Sequence, residues 1–407
     1  MSKHFDVLIV GGGHAGAAAA MALRHHGFAG SIAIAGAEPD LPYDRPPLSK
    51  DYLAGEKPFE RMVFRSAEAW AAKGVELLPG TCVTAVDAPA HRVTTGGGGT
   101  IGYGRLVWAA GGVPLRLSCP GGELEGLHAI RSRADVDRLR SELPGARRVV
   151  VVGGGYIGLE AAAALTGLGK QVTLIEAQDR VLSRVAGERL SRFFEAEHRE
   201  RGVDIRLGAA IAAIQGPGRV EAVRLRSGEE LPADLVIVGI GIAPATQVLR
   251  AAGAAHGNGV RVDPQCRTSL PGVFGVGDCA EHRNLFAGGA WIRLESVQNA
   301  TDQAAVAART ICGIEAEYDA LPWFWSNQYD LRLQTVGLSQ RHDEVVTRGD
   351  PANRSFSLIY LHKGRVIALD CVNATRDYVQ GRALVLSGAA RDPGALADPE
   401  VPLKSLL

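Results

Sequence analysis

One stretch of the sequence occurs twice, and the repetition fixes most of what the chain can become. Asp6-Val7-Leu8-Ile9-Val10-Gly11-Gly12-Gly13-His14-Ala15-Gly16 returns as Val149-Val150-Val151-Val152-Gly153-Gly154-Gly155-Tyr156-Ile157-Gly158, with Gly153 standing 142 residues after Gly11. That offset is too long for a solenoid and suits two copies of one domain type. In each copy four consecutive apolar residues, mostly β-branched, read as a strand buried on both faces. G-x-G-x-x-G follows, then an alanine-rich helix predicted over Ala15 to about His26 and over Ile157 to about Leu168. Gly27 and Gly169 stand where a helix C′ glycine belongs, and second strands are predicted over Ser31 to Ala35 and Gln171 to Ile175.

The glycine spacing has a physical meaning. The first glycine of each set (Gly11, Gly153) permits the tight strand-to-helix turn, and the second (Gly13, Gly155) lets a pyrophosphate touch the backbone. The third (Gly16, Gly158) lets helix and strand pack closely, while free N–H groups of the first helical turn, at His14-Ala15 and Tyr156-Ile157, face the anion. Two such motifs in the strand–turn–helix–strand context predict two bound dinucleotides. The acidic residue that follows distinguishes them. Glu176, 18 residues after Gly158, ends the second copy's strand, where a carboxylate accepts from both ribose hydroxyls and repels a 2′-phosphate. NADH is therefore favoured over NADPH at that site, with Arg180 and Arg184 downstream as a partial offset. In the first copy the matching position is Ala35, and Glu38 three residues later becomes the candidate ribose ligand.

Three other segments suggest that the first dinucleotide is FAD. Val273-Phe274-Gly275-Val276-Gly277-Asp278 is a short strand ending in Gly-Asp, where Asp278 can accept from a ribityl hydroxyl while the next helix faces the phosphate with its N-terminus. Leu106 to Trp108 leads into Ala109-Ala110-Gly111-Gly112, a small-residue turn that lets backbone pass a ring. Pro42-Tyr43-Asp44-Arg45-Pro46-Pro47-Leu48-Ser49-Lys50 is a stiff stretch just after the first ribose turn.

Composition closes off other classes. Lys plus Arg and Asp plus Glu are both 44, so no global field favours nucleic acid or an anionic membrane. Six scattered cysteines lack metal-clip or C-x-x-C spacing, so no metal site, iron–sulfur cluster or redox dithiol is expected, and all six are read as buried reduced thiols. The N-terminus lacks the features of a signal peptide, and no apolar run approaches the roughly 20 residues that span a bilayer, so a cytoplasmic location is expected.

The chain closely resembles the NADH-dependent, FAD-containing ferredoxin reductases of bacterial oxygenase systems, over about residues 5 to 407. Beyond the glycine motifs, the resemblance rests on the proline-rich segment ending in Lys50 and on Gly153-Gly154-Gly155-Tyr156-Ile157-Gly158-Leu159-Glu160. It rests also on Gly277-Asp278-Cys279-Ala280, Arg293-Leu294-Glu295-Ser296-Val297-Gln298-Asn299-Ala300 and Pro322-Trp323-Phe324-Trp325-Ser326-Asn327-Gln328-Tyr329. Two positions depart from the family pattern: Ala110, where Thr is common, and Ala37, where an acidic residue is frequent.

The resemblance implies an α/β protein with two Rossmann-like dinucleotide-binding domains in the manner of glutathione reductase, plus a C-terminal α+β domain. It implies a discontinuous FAD domain (1–112 and 246–320), an NADH domain (113–245) and the C-terminal domain (321–407). Runs Phe356 to Leu361 and Val366 to Val372 read as strands flanking a turn at Lys363-Gly364. The expected activity is hydride transfer from NADH to non-covalent FAD, then single-electron delivery to a small acidic 2Fe–2S ferredoxin that supplies an oxygenase. Lys50 and Glu160 are carried over as the pair nearest the flavin N5. Ala37, Arg45, Pro46, Val83, Ala110, Gly111, Arg131 and Val297 are carried over around FAD, and Glu295, Gly241 and Arg184 around the nicotinamide coenzyme. Trp325, with Trp323, would cover the flavin's other face, and Arg61, Arg65, Arg293, Arg309 and Arg332 are candidates for a basic docking patch. Other readings are a rubredoxin reductase, a disulfide reductase and an NADH-binding flavoprotein sensor. The disulfide reductase needs a cysteine pair near the flavin, and the first 80 residues hold no cysteine.

Overall fold

The computed structural model describes residues 3–407, and the chain divides into two compact units. The first holds the chain up to Arg45 with Phe59–Val113 and Ala243–Pro322, and the second holds Pro46–Pro58, Pro114–Ile242 and Trp323–Leu407. One segment departs from the expected partition, because Pro46–Pro58 belongs to the second unit. Its side chains explain why: Ser49 and Lys50 bond to Glu160, and the Tyr52 hydroxyl bonds to Asp137.

The first unit is built on a sheet ordered Val75–Leu78, Ile32–Ala35, Lys3–Val10, Thr100–Trp108, with the first three mutually parallel. The long strand Thr100–Trp108 takes two partners on its far side. Its first half pairs antiparallel with Arg92–Thr95, and its last residues pair parallel with Val273–Gly275. Val7, Leu8 and Ile9 are wholly buried, as a two-faced apolar run requires. Helix His14–His25 packs on helix Val297–Ile311 through alanines: Ala15 and Ala19 share one core cluster with Ala300, Ala304, Ala307 and Ala308. Small side chains on both faces let the two backbones lie close.

The second unit holds a five-stranded parallel sheet ordered Asp204–Arg206, Gln171–Ile175, Arg148–Val152, Leu235–Val238, Leu127–His128. A separate antiparallel sheet is ordered Trp323–Gln328, Leu331–Gly337, Arg365–Val372, Ser355–His362, Glu344–Asp350. The hairpin turn at Lys363-Gly364 takes φ of 52° and 73°. Among the described residues no helix is long and apolar enough to cross a membrane.

Candidate active site

The two glycine turns have the same local geometry. Gly11 and Gly153 take φ of 115° and 104°, conformations that residues with a Cβ rarely adopt. A Cβ on Gly16 would stand 1.9 Å from the Gly11 carbonyl oxygen, and one on Gly158 would stand 2.0 Å from that of Gly153. The helices that follow, His14–His25 and Tyr156–Gly167, begin at Gly13 and Gly155 with no side-chain cap. Their first N–H groups are thus left for an anion. At Gly155 an added Cβ would meet nothing within 4 Å. The protein's own packing does not demand glycine there, whereas the close approach of a ligand does.

In the first unit three turns meet at the carboxyl edge of neighbouring strands, the usual place for a ligand on an open α/β sheet. A Cβ on Gly11 would lie 2.2 Å from the Ala109 carbonyl oxygen and 3.0 Å from the Ala110 nitrogen; one on Gly277 would lie 3.2 Å from Ala15. Gly11, Ala110 and Gly277 are thereby brought together, with half-buried Gly111 (φ 65°) next along the chain. The Gly277 turn is held from behind, where its N–H donates to Gln303 Oε1 at 2.8 Å and Gln303 Nε2 lies 3.3 Å from His282 Nδ1. Burial pushes the His282 imidazole down to about 4, so this support is neutral. Glu38 accepts from the Tyr43 hydroxyl at 2.6 Å and pairs with Arg45, whose guanidinium would sit 3.5 Å from a Cβ on Gly13. His14 Nε2 lies 2.9 Å from Asp44. Val83 is buried at the start of its strand, and Ala37 is exposed.

Two expectations for this unit change. No helix follows Asp278 directly: Gly277–Cys279 is a single 3-10 turn leading into strand Ala280–Asn284. The next long helix, Val297–Ile311, caps its own N-terminus through Ser296, whose Oγ accepts from the Asn299 N–H at 3.1 Å. Arg293 is no surface charge either. Its side chain is 8% exposed, pairs with Glu295 at 2.7 Å and donates to the Asp278 carbonyl at 2.9 Å. Arg309 similarly donates to the Glu315 carbonyl. Arg61, Arg65 and Arg332 are exposed.

In the second unit Glu176 accepts from the Gly154 N–H at 2.7 Å and the Gln178 N–H at 2.8 Å, which fixes its carboxylate at the end of its strand. Arg180 turns inward to the carbonyls of Ala186 and Ser183 and to the Ser191 hydroxyl. Only Arg184 of the pair remains exposed, 3.4 Å from where a Cβ on Gly241 would sit. Ile157 is 43% exposed on the first helical turn, an apolar surface fit for a ligand ring. Arg131 is half-buried in the loop before helix Arg133–Glu142.

Lys50 and Glu160 do meet: Lys50 Nζ is 2.7 Å from Glu160 Oε2. Both side chains are largely buried, 14% and 2% exposed. Lys50 also donates to the Pro46 carbonyl at 3.3 Å. Sequence reading missed two partners of the carboxylate, the hydroxyls of Ser49 and Ser326, each at 2.6 Å. No local signal marks them, since they lie 111 and 166 residues away in the chain. Tyr156 stacks on Phe324 with centroids 4.5 Å apart, and Trp323 and Trp325 lie 5.6 Å apart on the other face of the same strand. All six cysteines are free, and Cys82 is exposed, so the expectation that all are buried does not hold. Among the described residues no cluster of His, Cys, Asp and Glu is arranged to hold a metal.

The residues present fit two dinucleotides: two uncapped helix N-termini behind strained glycines, each beside an acidic residue at the end of the next strand. Residues 5–304 match the family model described as pyridine nucleotide-disulphide oxidoreductase, and residues 323–407 match that described as Reductase C-terminal. The chain belongs to the pyridine nucleotide-disulphide oxidoreductase family, although no cysteine stands near its first glycine turn. It is 59% identical to the 5,5'-dehydrodivanillate O-demethylase ferredoxin reductase subunit of Sphingobium over 99% of this chain and 98% of that one. It is 39% identical to putidaredoxin reductase of Pseudomonas putida over 100% of this chain and 98% of that one. The structure of the covalent putidaredoxin reductase–putidaredoxin complex superposes with a TM-score of 0.94, covering 99% of this chain and 97% of that one. Within the family, the chain is one of the putidaredoxin reductase-like ferredoxin reductases.

Proposed function

We propose that the protein oxidises NADH, holds the electron pair on non-covalent FAD, and delivers it one electron at a time to a small acidic 2Fe–2S ferredoxin serving an oxygenase. The observation that carries this reading is the pair of glycine turns, each with an open anion site at the carboxyl edge of a parallel sheet. Bound flavin supplies the conversion, since it is stable at three redox levels. The chain's residues do the rest. Gly11, Gly13 and Gly16 with the N–H groups of His14 and Ala15 hold the FAD pyrophosphate. Arg45 supplies counter-charge, Glu38 accepts from the ribose, and Asp278 accepts from a ribityl hydroxyl. Pro46, Val83, Ala110, Gly111, Arg131 and Val297 line the flavin, and Trp325 covers one of its faces. Gly153, Gly155, Gly158, Tyr156 and Ile157 take the NADH pyrophosphate, with Gly241, Glu295 and Arg184 on the nicotinamide side. Lys50, oriented by Glu160, sets its ammonium beside N5 and favours the anionic reduced state. Six unpaired cysteines suit a reducing compartment, and we assign the protein to the cytoplasm.

The test is ferredoxin-dependent reduction of cytochrome c with NADH, run alongside direct reduction of ferricyanide. With Arg61, Arg65 and Arg332 steering an acidic partner, the first rate falls as salt shrinks the Debye length from about 10 Å at 0.1 M to 3 Å at 1 M. The second rate, with no protein docking step, falls much less. Turnover indifferent to added ferredoxin, as a sensor would give, defeats the reading.

Coenzyme choice gives a second expected outcome. Glu176→Ala removes charged hydrogen bonds to the ribose worth roughly 1.5–3 kcal/mol. The NADH-over-NADPH ratio of kcat/KM should therefore narrow by about tenfold or more, with Arg184 the one arginine free to meet a 2′-phosphate. An unchanged ratio would move the discrimination to another residue.

A further inference from the structure

The assigned roles leave unexplained a line of buried polar groups behind Glu160. The Glu160 carboxylate takes the Ser326 hydroxyl on Oε1 at 2.6 Å, and Ser49 and Lys50 on Oε2. A carboxylate only accepts, so Ser326 directs its single proton at Glu160 and keeps only its lone pairs for other partners. Gln328 Nε2 must then be the donor to Ser326 Oγ, at 3.2 Å. That orientation turns the amide oxygen of Gln328 toward His198 Nε2, 2.9 Å away. A carbonyl also only accepts, which puts the imidazole proton on Nε2 and leaves Nδ1 to accept from the Tyr329 hydroxyl at 3.1 Å. Tyr329, His198, Gln328 and Ser326 thus all donate in one direction, and the line ends on Glu160.

Ser326, Gln328 and His198 are 1%, 1% and 0% exposed, so no water competes for these groups. Burial pushes the imidazole down to about 4, which keeps it neutral and able to donate on one side while accepting on the other. Tyr329 holds φ of 56° in a two-residue hairpin turn, a strained conformation for a bulky side chain, and Arg201 covers its ring at 4.5 Å. An amide sits in the middle of the line, and passing a proton through it would require the imidic acid. The line is therefore a fixed row of dipoles and not a proton conduit.

We propose that Ser326, Gln328 and His198 are positioning residues for the Lys50–Glu160 pair: a hydrogen-bond line of single polarity holds Glu160 as an oriented anion and thereby fixes the Lys50 ammonium. The aligned positive ends stabilise the carboxylate's charge, and occupation of Oε1 by Ser326 reserves Oε2 for Lys50 and Ser49. The consequence for the flavin rests on the reading of Lys50 as the group beside N5; the polarity of the line does not.

The test uses the holoenzyme labelled with ¹⁵N at histidine, with the His198 signals assigned by their loss in His198→Gln. His198 should carry its proton on Nε2 alone. In Glu160→Gln, whose amide can donate as well as accept, the constraint is lifted and the Nδ1–H form should rise to a tenth of the population or more. Ser326→Ala should make the flavin midpoint potential more negative and slow hydride transfer about tenfold, with the Kd for NADH changed less than twofold. Ser326→Thr, which keeps the hydroxyl, should restore both. A proton on His198 Nδ1 in the parent protein overturns the polarity. A wild-type potential and hydride-transfer rate in Ser326→Ala overturn the positioning role. Protein that binds no flavin would defeat the functional reading instead, and the tautomer measured on it would still decide the polarity.

Discussion

Gly16→Ala should purify colourless, while Gly158→Ala should purify yellow and resist reduction by NADH. The two residues hold the same place in the repeat, and a Cβ on either would stand at about 2 Å from the carbonyl oxygen of the glycine that opens its turn. Backbone cannot yield at that separation without moving the helix N-terminus away from its strand, and overpacking of this kind costs about 1–3 kcal/mol in strain. The larger loss is at the anion site. Charge-assisted hydrogen bonds from backbone N–H groups contribute roughly 1.5–3 kcal/mol each, so misaligning two of them weakens binding by about two to four orders of magnitude. At the first turn that loss falls on FAD, and the visible absorbance disappears. At the second it falls on NADH, and dithionite should still bleach the flavin at the parent's amplitude. The ratio of absorbance at 450 nm to that at 280 nm, followed by anaerobic titration with NADH and then dithionite, reads both outcomes. If Gly158→Ala loses its colour and Gly16→Ala keeps it, the cofactors are assigned to the wrong copies.

What could be read from sequence here is what neighbouring residues decide. The two strand–glycine–helix units are local: Val7 to Gly16 and Val149 to Gly158 each contain their own turn, close approach and helix start, and the structure gives helices His14–His25 and Tyr156–Gly167. The turn at Lys363-Gly364 is local in the same way. Contacts formed across the chain leave no such trace. Ser326 meets Glu160 across 166 residues and His198 meets Gln328 across 130, and neither serine nor glutamine carries a pattern that announces a partner. The helix expected after Asp278 failed for a related reason. The Gly-Asp turn was read by analogy with the glycine turns, but its support comes from Gln303 on a distant helix. Arg293 was read as a surface charge from its type alone, and the Asp278 carbonyl and Glu295 draw it inward. Pro46–Pro58 follows the first ribose turn in sequence, yet its bonds to Glu160 and Asp137 assign it to the other unit.

Asp370→Asn should raise thermal stability at pH 8, against the usual cost of a substitution in a core. Asp370 is 5% exposed on strand Arg365–Val372, and the Tyr360 hydroxyl donates to it at 2.6 Å. Burial raises its carboxyl from 3.8 to about 6, with the Tyr360 hydrogen bond and the nearby His342 offsetting only part of the penalty. A carboxyl whose pKa is higher folded than unfolded stabilises the fold in its protonated form. That contribution is complete below about pH 3.8 and is lost as pH rises through 6. At pH 8 the folded protein therefore carries a buried carboxylate whose penalty, at about 1.4 kcal/mol per pKa unit, reaches roughly 3 kcal/mol. Asparagine keeps the shape and still accepts from Tyr360, but it carries no charge to bury. The variant should melt several degrees above the parent at pH 8, with roughly half of its free-energy advantage left at pH 5 and none near pH 3.8. Melting curves of both proteins across that range check the sign as well as the size. An advantage that stayed constant with pH would mean that Asp370 does not titrate in the fold. A variant less stable at every pH would mean that the Tyr360–carboxylate bond outweighs the cost of burying the charge.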